Sequence, residues 1–299
     1  MIDIKEMKKK NFGKIIENPC MKDYTTFKVG GPATAIVSPR DEEKLLELLE
    51  YVKEKNIKYK VLGNGSNLIF SDDGFDGIII KLDEFNDLKI KGNDIIVGAS
   101  YNLMRLSIKL SRSGYAGLEF ASGIPGSVGG AVYMNAGAYG SDMGYIVRSA
   151  RVVTPSLSIV TMSNKELEFH YRTSFLKQNP GYICIEATLH LPCGNAKESM
   201  DLINDRKKRR IESQPISYPS AGSVFRNPEG TSAWKLIDDI GFKGRRCGGA
   251  MVSDMHANFI INAGGAKAKD IKTLIEQIKE KVKEKYNIDL KEEQEFVDR

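Results

Sequence analysis

Apolar residues recur with the spacing of an α-helix most clearly in residues 41–56 and 268–286. The first stretch follows Asp41, a suitable N-cap residue, and the second places five aliphatic side chains on one face, with Asp270 near its start. A shorter helix is expected to end at Gly114, and a later one at Gly241. Helices are predicted at residues 41–56, 101–113, 197–213, 232–240 and 268–286.

Short apolar runs between polar turns predict strands at residues 59–62, 68–70 and 78–80. Residues 146–191 are also rich in β-forming residues. Since helices and strands are mixed, the pattern predicts an α+β architecture. A ligand-binding region is expected to extend to about residue 195, with a smaller C-terminal domain after it.

Glycine is concentrated between Gly114 and Gly144, where nine residues are glycine. That density argues against an ordinary helix or strand, since each glycine weakens a regular interior by about 0.5–1 kcal/mol. Large apolar residues such as Phe120 and Val132 are interleaved with these glycines, which is not typical of a solvated linker. The pattern therefore predicts backbone pressed against a large ligand.

Composition narrows the class of protein. The 299 residues are 41% hydrophobic and 28% charged, which is ordinary for a globular protein, and the net charge of +5 does not indicate a nucleic-acid binder. The basic run at residues 206–210 predicts a solvated helix face, and the alternative is a role in attracting phosphates. We expect no signal peptide and no membrane span, because residues 1–14 are charged and no apolar run approaches ~18 residues. The four cysteines lack zinc spacing and only three histidines occur, so we expect free thiols in a reducing compartment and no metal site.

Two glycine loops are candidates for binding an anion. Residues 63–67 (GNGSN) lie between two predicted strands, where small residues allow successive N–H groups to converge on a pyrophosphate. The alternative is a plain hairpin turn. Residues 122–130 (SGIPGSVGG) form the second loop, and residues 135–140 extend the same wall. Two such loops favour a dinucleotide, whereas the alternative is a glycine-rich structural crossover.

Three further segments carry candidate chemistry. Residues 220–228 combine the hydroxyl of Ser223 with Arg226 and Asn227, which suit phosphate or sugar oxygens; the alternative is a turn with an exposed arginine. Arg172 lies between aromatic residues and could hold a carboxylate at two points, or its stem could pack on Tyr171 at the surface. The C-terminal segment offers Glu292, Glu293 and Glu295, and no local feature distinguishes one of them.

Together these motifs resemble the UDP-N-acetylenolpyruvoylglucosamine reductase family, flavoenzymes of bacterial peptidoglycan synthesis. The resemblance runs from about Tyr24 to the C-terminus and corresponds to the shorter of two family types, which lacks an extra tyrosine-bearing loop. Its motifs are residues 26–31, 62–68, 119–140, 171–175, 214–228, 244–262 and 290–293.

The resemblance implies an FAD-binding fold of the vanillyl-alcohol-oxidase type, followed by a substrate domain. We predict an FAD-binding region at 1–195, with subdomains at about 1–82 and 83–195, and a substrate-binding domain at 196–299. The predicted FAD contacts are Gly63, Asn64, Gly65, Ser66, Asn67, Ser122, Gly123, Ile124, Pro125, Gly126, Ser127, Gly130, Asn135 and Gly137.

By resemblance, Ser223 is the proton donor, and Arg172 and Glu293 are catalytic. Gln294 stands where valine is usual, which makes the register of the glutamates less defined. Arg226, Asn227 and His256 are implied to bind substrate, with Arg226 in place of a more usual lysine.

The implied reaction is NADPH-dependent, FAD-mediated reduction of UDP-N-acetylglucosamine enolpyruvate to UDP-N-acetylmuramate in the cytoplasm. Two alternatives stay open: another FAD-dependent oxidoreductase or oxidase of the same fold, and a nucleotide-sugar-binding protein without catalysis. The sequence does not define the oligomeric state and is compatible with a monomer.

Overall fold

The chain forms two compact units, in a computed structural model that describes residues 2–299. Each unit is assembled from three separate stretches of sequence. Unit 1 contains the stretch that ends at Glu17, Ala35–Asn64 and Gly77–Lys208; unit 2 contains Asn18–Thr34, Gly65–Asp76 and Arg209–Arg299. These units are discontinuous in sequence, whereas the predicted domains are continuous on either side of residue 195. The boundary at residue 195 therefore stays a prediction.

Eight α-helices and sixteen strands occur in the described residues, together with three short 3₁₀ helices at Met21–Asp23, Glu119–Gly123 and Met143–Tyr145. The helices are α1 (Ile4–Lys10), α2 (Glu42–Glu54), α3 (Leu103–Arg112), α4 (Val128–Met134), α5 (Phe175–Gln178), α6 (Ala196–Ser213), α7 (Ala233–Asp239) and α8 (Ala268–Tyr286). The strands are β1 (Gly13–Glu17), β2 (Ala33–Pro39), β3 (Tyr59–Val61), β4 (Leu68–Phe70), β5 (Phe75–Ile80), β6 (Leu88–Lys91), β7 (Asp94–Gly98), β8 (Gly137–Ala138), β9 (Ser141–Asp142), β10 (Val147–Val153), β11 (Ile159–Ser163), β12 (Ile183–His190), β13 (Arg246–Cys247), β14 (Ala250–Val252), β15 (Ile260–Asn262) and β16 (Glu295–Val297).

Unit 1 is built around two sheets. The first has the strand order β1-β2-β5-β3, and the second is antiparallel with the order β11-β10-β12-β7-β6. One apolar core lies between these elements and includes Leu48, Ile78, Val97 and Val152, each fully buried. Helix α4 packs on β7 and β12 of the second sheet, which fixes the glycine-rich region relative to that sheet.

Unit 2 has its own core, which includes Phe27, Ile237, Ile260 and Leu274. Strands β13, β14 and β15 form an antiparallel sheet, and α8 packs against it. Strand β4 pairs in parallel with β16 near the C-terminus, so Ile69 lies opposite Phe296. This pairing joins segments that are more than two hundred residues apart in sequence.

The helices predicted from apolar spacing are confirmed with small changes at their ends. The Asp41 carboxylate accepts a hydrogen bond from the Lys44 N–H at 2.8 Å and caps α2 as expected. Helix α8 matches its predicted range, and Asp270 accepts from the Lys267 N–H in a capping box. The expected strands at 59–62, 68–70 and 78–80 correspond to β3, β4 and β5.

The expectation that the glycine-rich stretch contains no regular helix is wrong at α4. Gly129 and Gly130 lie within this short helix. A side chain at Gly129 would place its Cβ only 2.8 Å from the Ala99 Cβ, so glycine permits close packing of the helix. Here part of the glycine signal reflects contact between protein elements rather than contact with a ligand.

None of the helices in residues 2–299 combines the length and the apolar character that crossing a membrane requires. The four cysteines are free thiols, which confirms that prediction.

Candidate functional site

The loop at residues 63–67 connects two strands that do not pair with each other. Strand β3 runs parallel to β5, and β4 runs parallel to β16. The loop is therefore not a hairpin turn, which removes the structural alternative raised for it. The division between the two units falls inside it, after Asn64.

In unit 1, the start of this loop meets the second glycine loop. A Cβ built on Gly63 would lie 2.5 Å from the Ser127 Oγ, so the two backbones approach closely here. Ser127 is 3% exposed and caps α4, with its Oγ accepting a hydrogen bond from the Gly130 N–H at 3.3 Å. Gly63, Asn64 and Gly130 are exposed. The two loops predicted to share a ligand are thus adjacent.

Backbone hydrogen bonds hold the second loop in place. The Leu103 N–H donates to the Gly126 carbonyl, and the Val128 N–H donates to the Tyr101 carbonyl, each at 3.0 Å. Ser122 donates its hydroxyl to the Glu119 carbonyl at 2.9 Å, and Gly123 ends a 3₁₀ helix.

Ile124 is half-buried and Pro125 is exposed in this loop. Its predicted ligand-binding residues are therefore presented on a fixed backbone rather than on a flexible linker.

Gly65, in unit 2, needs glycine for a reason within the protein. Its φ is +61°, and a Cβ there would collide with the Tyr24 carbonyl oxygen. The Gly65 carbonyl also accepts from the Thr26 N–H at 3.1 Å. Contact with the backbone at Tyr24 alone explains glycine at this position.

Asn135 ties two loops of unit 1 together. This side chain is 2% exposed, donates through Nδ2 to the His170 carbonyl at 2.9 Å, and accepts at Oδ1 from the Gly144 N–H at 2.9 Å. Both ends of the amide are therefore engaged by backbone groups. Asn135 shapes the wall next to Gly137 through these bonds.

Arg172 lies at the tip of a tight turn in unit 1. His170 and Thr173 exchange backbone hydrogen bonds across the turn at 3.0 and 3.1 Å. The Arg172 Nη2 donates to the Gly137 carbonyl at 2.8 Å, and the guanidinium carbon lies 5.2 Å from the centre of the Tyr171 ring. The packing on Tyr171 agrees with the structural alternative, while the bond to Gly137 connects Arg172 to the glycine-rich wall.

The backbone of Arg172 is in the left-handed region, with φ +58°. This conformation is unfavourable for a residue with a side chain, and such strain is concentrated at functional sites. The turn therefore holds the arginine where an unstrained chain would prefer glycine or asparagine.

In unit 2, Asn258 fixes the loop that carries Ser223. The Asn258 amide accepts from the Phe225 N–H at 2.9 Å and donates to the Phe225 carbonyl at 2.8 Å. Its own carbonyl accepts from the Val224 N–H at 2.9 Å. Asn258 is 4% exposed, so three hydrogen bonds from one buried residue set the backbone on the C-terminal side of Ser223.

The C-terminal segment lies against the same loop. The Glu293 N–H donates to the Val224 carbonyl at 2.8 Å, and the Glu293 carbonyl accepts from the Asn67 side chain at 3.0 Å. Glu292 forms an ion pair with Lys279 of α8 at 2.8 Å. The C-terminal segment is therefore held in place, because the loop that carries Ser223 and strand β4 contact it on either side.

The three residues implied to bind substrate occupy different settings. Arg226 is half-buried, and its Nε is a buried donor to which no acceptor in residues 2–299 is bonded. Asn227 is exposed and accepts a hydrogen bond at Oδ1 from the Ala233 N–H at 3.1 Å.

His256 accepts at Nδ1 from the Asn258 N–H at 3.2 Å, and burial lowers its pKa. Its ring also packs edge-on against Phe259, whose backbone bridges Ser223. His256 therefore lies near the loop that carries Ser223, in a setting that disfavours its charged form.

Sequence reasoning missed Asn258 and Gln294. Both are buried polar residues that bond to the backbone of the loop that carries Ser223. Neither belongs to a local motif with recognisable chemistry, and both act on a segment distant in sequence. No feature of the sequence alone could have identified those contacts.

Comparison with known proteins agrees with this architecture. Residues 33–163 match a family model described as an FAD binding domain. Residues 214–297 match the C-terminal domain of UDP-N-acetylenolpyruvoylglucosamine reductase. The FAD-binding fold followed by a smaller C-terminal domain, and FAD as cofactor, are thereby confirmed.

Several relatives match over nearly the whole chain. UDP-N-acetylenolpyruvoylglucosamine reductase from Bacillus licheniformis is 44% identical over 295 residues, covering 98% of this chain and 97% of the relative. The Clostridium kluyveri enzyme is 42% identical, covering 97% and 92%. The crystal structure of the reductase from Thermus caldophilus superposes with a TM-score of 0.82 at 37% identity, covering 95% of this chain and 98% of that one. This chain belongs to the UDP-N-acetylenolpyruvoylglucosamine reductase family.

Proposed function

We propose that this chain reduces UDP-N-acetylglucosamine enolpyruvate to UDP-N-acetylmuramate, with FAD as cofactor and NADPH as electron donor. The observation that carries the proposal is the construction of unit 2, where Asn258 and the C-terminal segment hold Ser223 and Glu293 on adjacent, rigid backbone. A protein that only binds a nucleotide sugar would not need a hydroxyl-bearing and a carboxylate-bearing residue held on adjacent backbone in this way. A cytoplasmic location, where NADPH is available, is part of the proposal.

The glycine loops of unit 1 fit the pyrophosphate of FAD. Gly63 and Ser127 bring two backbone segments together, and these segments consist mostly of small residues. Gly63, Asn64 and Gly130 are exposed beside the buried Ser127. Consecutive N–H groups in such loops can bind an anion, and a side chain at Gly63 would obstruct them. When bound, FAD would carry two electrons from NADPH to the enolpyruvyl group.

Arg172 is proposed to stabilise negative charge on the substrate. Addition of a hydride to the terminal carbon of the enolpyruvyl group would place negative charge on the adjacent carbon, from where it would spread into the carboxylate. A guanidinium held by Gly137 and Tyr171 would meet this charge in a fixed orientation. A preorganised donor of this kind lowers the barrier because it needs no rearrangement during the reaction.

Ser223 is proposed to donate the proton that completes the reduction. The proton goes to the carbon next to the carboxylate and leaves an alkoxide on Ser223, which must be reprotonated. His256 is not the immediate proton source in this proposal, because burial lowers its pKa and so disfavours the protonated ring. Glu293 is proposed to act as a second donor to the developing enolate, and Arg226 and Asn227 to bind the diphosphate.

The direct test measures NADPH oxidation by the FAD-loaded protein, with and without the enolpyruvyl UDP-sugar. We expect rapid oxidation only with the sugar. We also expect Ser223→Ala to retain FAD and its reduction by NADPH, while reoxidation by the substrate becomes slow by at least about 100-fold. Ser220→Ala is the matched control, since it removes a hydroxyl from the same loop. Oxidation of NADPH at equal rates with oxygen alone would favour an oxidase and contradict the proposal.

A further inference from the structure

Gln294 contacts the loop that carries Ser223 from the C-terminal segment. Its Nε2 donates a hydrogen bond to the Gly222 carbonyl at 3.0 Å. The side chain is 4% exposed, so this bond is shielded from water. The bond acts on the peptide between Gly222 and Ser223, immediately before the hydroxyl-bearing residue.

The backbone on both sides of Gln294 is fixed. The Glu293 N–H donates to the Val224 carbonyl at 2.8 Å, and the Glu295 N–H donates to the Asn67 carbonyl at 2.9 Å. Because Gln294 lies between these two bonds, its Cα is held in a fixed position relative to the loop that carries Ser223. The amide therefore holds Gly222 from a rigid support.

Gly222 is the point in the loop where such support matters. Its φ is +75°, and a Cβ built there would meet no atom within 4 Å, so side-chain packing does not restrain this residue. Ser223 itself bridges Phe259, and Asn258 holds the residues that follow. The Gln294 bond restrains the side of Ser223 that Asn258 does not reach.

Stability alone does not account for a glutamine at this position. Its Oε1 is buried, and no donor in the part of the chain that the structure describes is bonded to it. A buried acceptor without a partner opposes folding, so the gain from the Nε2 bond is largely offset. An apolar side chain of the same length would fill the site without an unpaired buried oxygen and would lose only the bond to the Gly222 carbonyl.

We infer that Gln294 is a positioning residue for Ser223: its amide fixes the peptide plane between Gly222 and Ser223, and thereby the direction of the Ser223 hydroxyl. The inference rests on the proposed function, in which Ser223 donates the proton. A proton donor displaced by about 1 Å loses much of its effect, on the order of 100-fold. Gln294 acts through Ser223 and does not itself touch the substrate.

The first test replaces Gln294 with methionine, which has the same length and no hydrogen-bonding amide. In stopped-flow experiments on the FAD-loaded protein, we expect Gln294→Met to slow flavin reoxidation by the enolpyruvyl substrate about 10- to 100-fold. Flavin reduction by NADPH should stay at the wild-type rate. The solvent deuterium isotope effect on reoxidation should increase, because proton donation then limits the rate. Gln277→Met on α8 is the control for a half-buried glutamine and should change neither rate.

A second variant gives a signature that a purely structural role would not produce. In Gln294→Glu the introduced carboxyl can donate to the Gly222 carbonyl only when it is protonated. We therefore expect its reoxidation rate, relative to wild type, to recover as the pH falls. The inference would be overturned if flavin in Gln294→Met were reoxidised at the wild-type rate. It would also be overturned if Gln294→Glu lacked this pH dependence. Normal reoxidation by Ser223→Ala would instead overturn the proposed role of Ser223.

Discussion

Replacing Arg172 by glycine is expected to give a more stable protein than replacing it by alanine. At most positions the order is the reverse, because glycine gains more conformational freedom in the unfolded chain. Arg172, however, has φ +58°, where a Cβ is unfavourable. The comparison between the two variants isolates this backbone effect, since both lose the same guanidinium contacts.

The expected magnitudes follow from the turn. Both variants lose the hydrogen bond to the Gly137 carbonyl, about 0.5–1.5 kcal/mol, and the contact with the Tyr171 ring, about 0.5–1 kcal/mol. Alanine keeps a left-handed backbone that is unfavourable by about 1–2 kcal/mol. Glycine avoids this backbone strain but loses about 0.5–1 kcal/mol more chain entropy on folding than alanine does. Arg172→Gly should therefore be more stable than Arg172→Ala by about 0.5–1 kcal/mol.

Denaturant unfolding of the two variants measures this difference, and the Arg105 pair provides the control. Arg105 lies in α3 and is exposed, so Arg105→Gly should be less stable than Arg105→Ala by about 1 kcal/mol. If the Arg172 pair follows the Arg105 pair, the left-handed turn does not describe the protein in solution.

Turnover provides the second part of the test. Arg172→Gly, Arg172→Ala and Arg172→Lys should each lose on the order of 10²–10³ in kcat, with FAD content unchanged. Lysine keeps the charge but not the planar fork that can hold a carboxylate at two points. A lysine variant with most of its turnover would show that charge alone suffices, and loss of FAD would place Arg172 in the cofactor site instead.

Three further predictions concern other parts of the chain. Gly63→Val should reduce the FAD bound on purification, measured by the flavin absorbance per protein, because its side chain would project against Ser127; full flavin content would contradict the cofactor site. Burial lowers the pKa of His256 below its ordinary 6.5. The contribution of His256 to the free energy of unfolding is therefore present above pH 6.5 and is lost as the pH falls towards the folded-state pKa. His256→Asn should flatten the pH dependence of the free energy of unfolding below pH 6.5. Burial raises the pKa of Cys184 to about 12, so a thiol reagent followed by mass spectrometry should modify exposed Cys193 first and Cys184 only after unfolding.

Local patterns in the sequence were sufficient where the structure depends on neighbouring residues. Helix α8 matches its predicted bounds because its apolar face and the Asp270 capping box lie within the same nineteen residues. The Asp41 cap of α2 is equally local. The FAD-binding region was recognised for a similar reason, since its glycine loops are contiguous motifs.

The support of Ser223 could not be predicted, because it comes from residues far along the chain. Asn258 bonds to Phe225 over a separation of 33 residues, and Gln294 bonds to Gly222 over 72. Strand β16 pairs with β4, which precedes it by more than two hundred residues. The C-terminal glutamates could not be told apart for the same reason, because only the fold shows that Glu292 forms an ion pair with Lys279.

The glycine loops show what a glycine-rich sequence can and cannot indicate about a ligand. Glycine indicates that something approaches the backbone closely, but the sequence does not show what approaches. At Gly65 the approaching group is the Tyr24 carbonyl, and at Gly129 it is Ala99. Substitutions at these two positions would disturb packing whether or not FAD binds nearby, so loss of flavin there would not locate the cofactor. Gly63 is more informative, because it is exposed and its near neighbour is the side chain of Ser127 rather than backbone. An alanine at Gly63 combined with Ser127→Gly removes that neighbouring hydroxyl. Ser127→Gly alone is the reference, because it also removes the cap of α4. Flavin loss in the double variant beyond that of Ser127→Gly alone would come from the side chain at Gly63 meeting FAD.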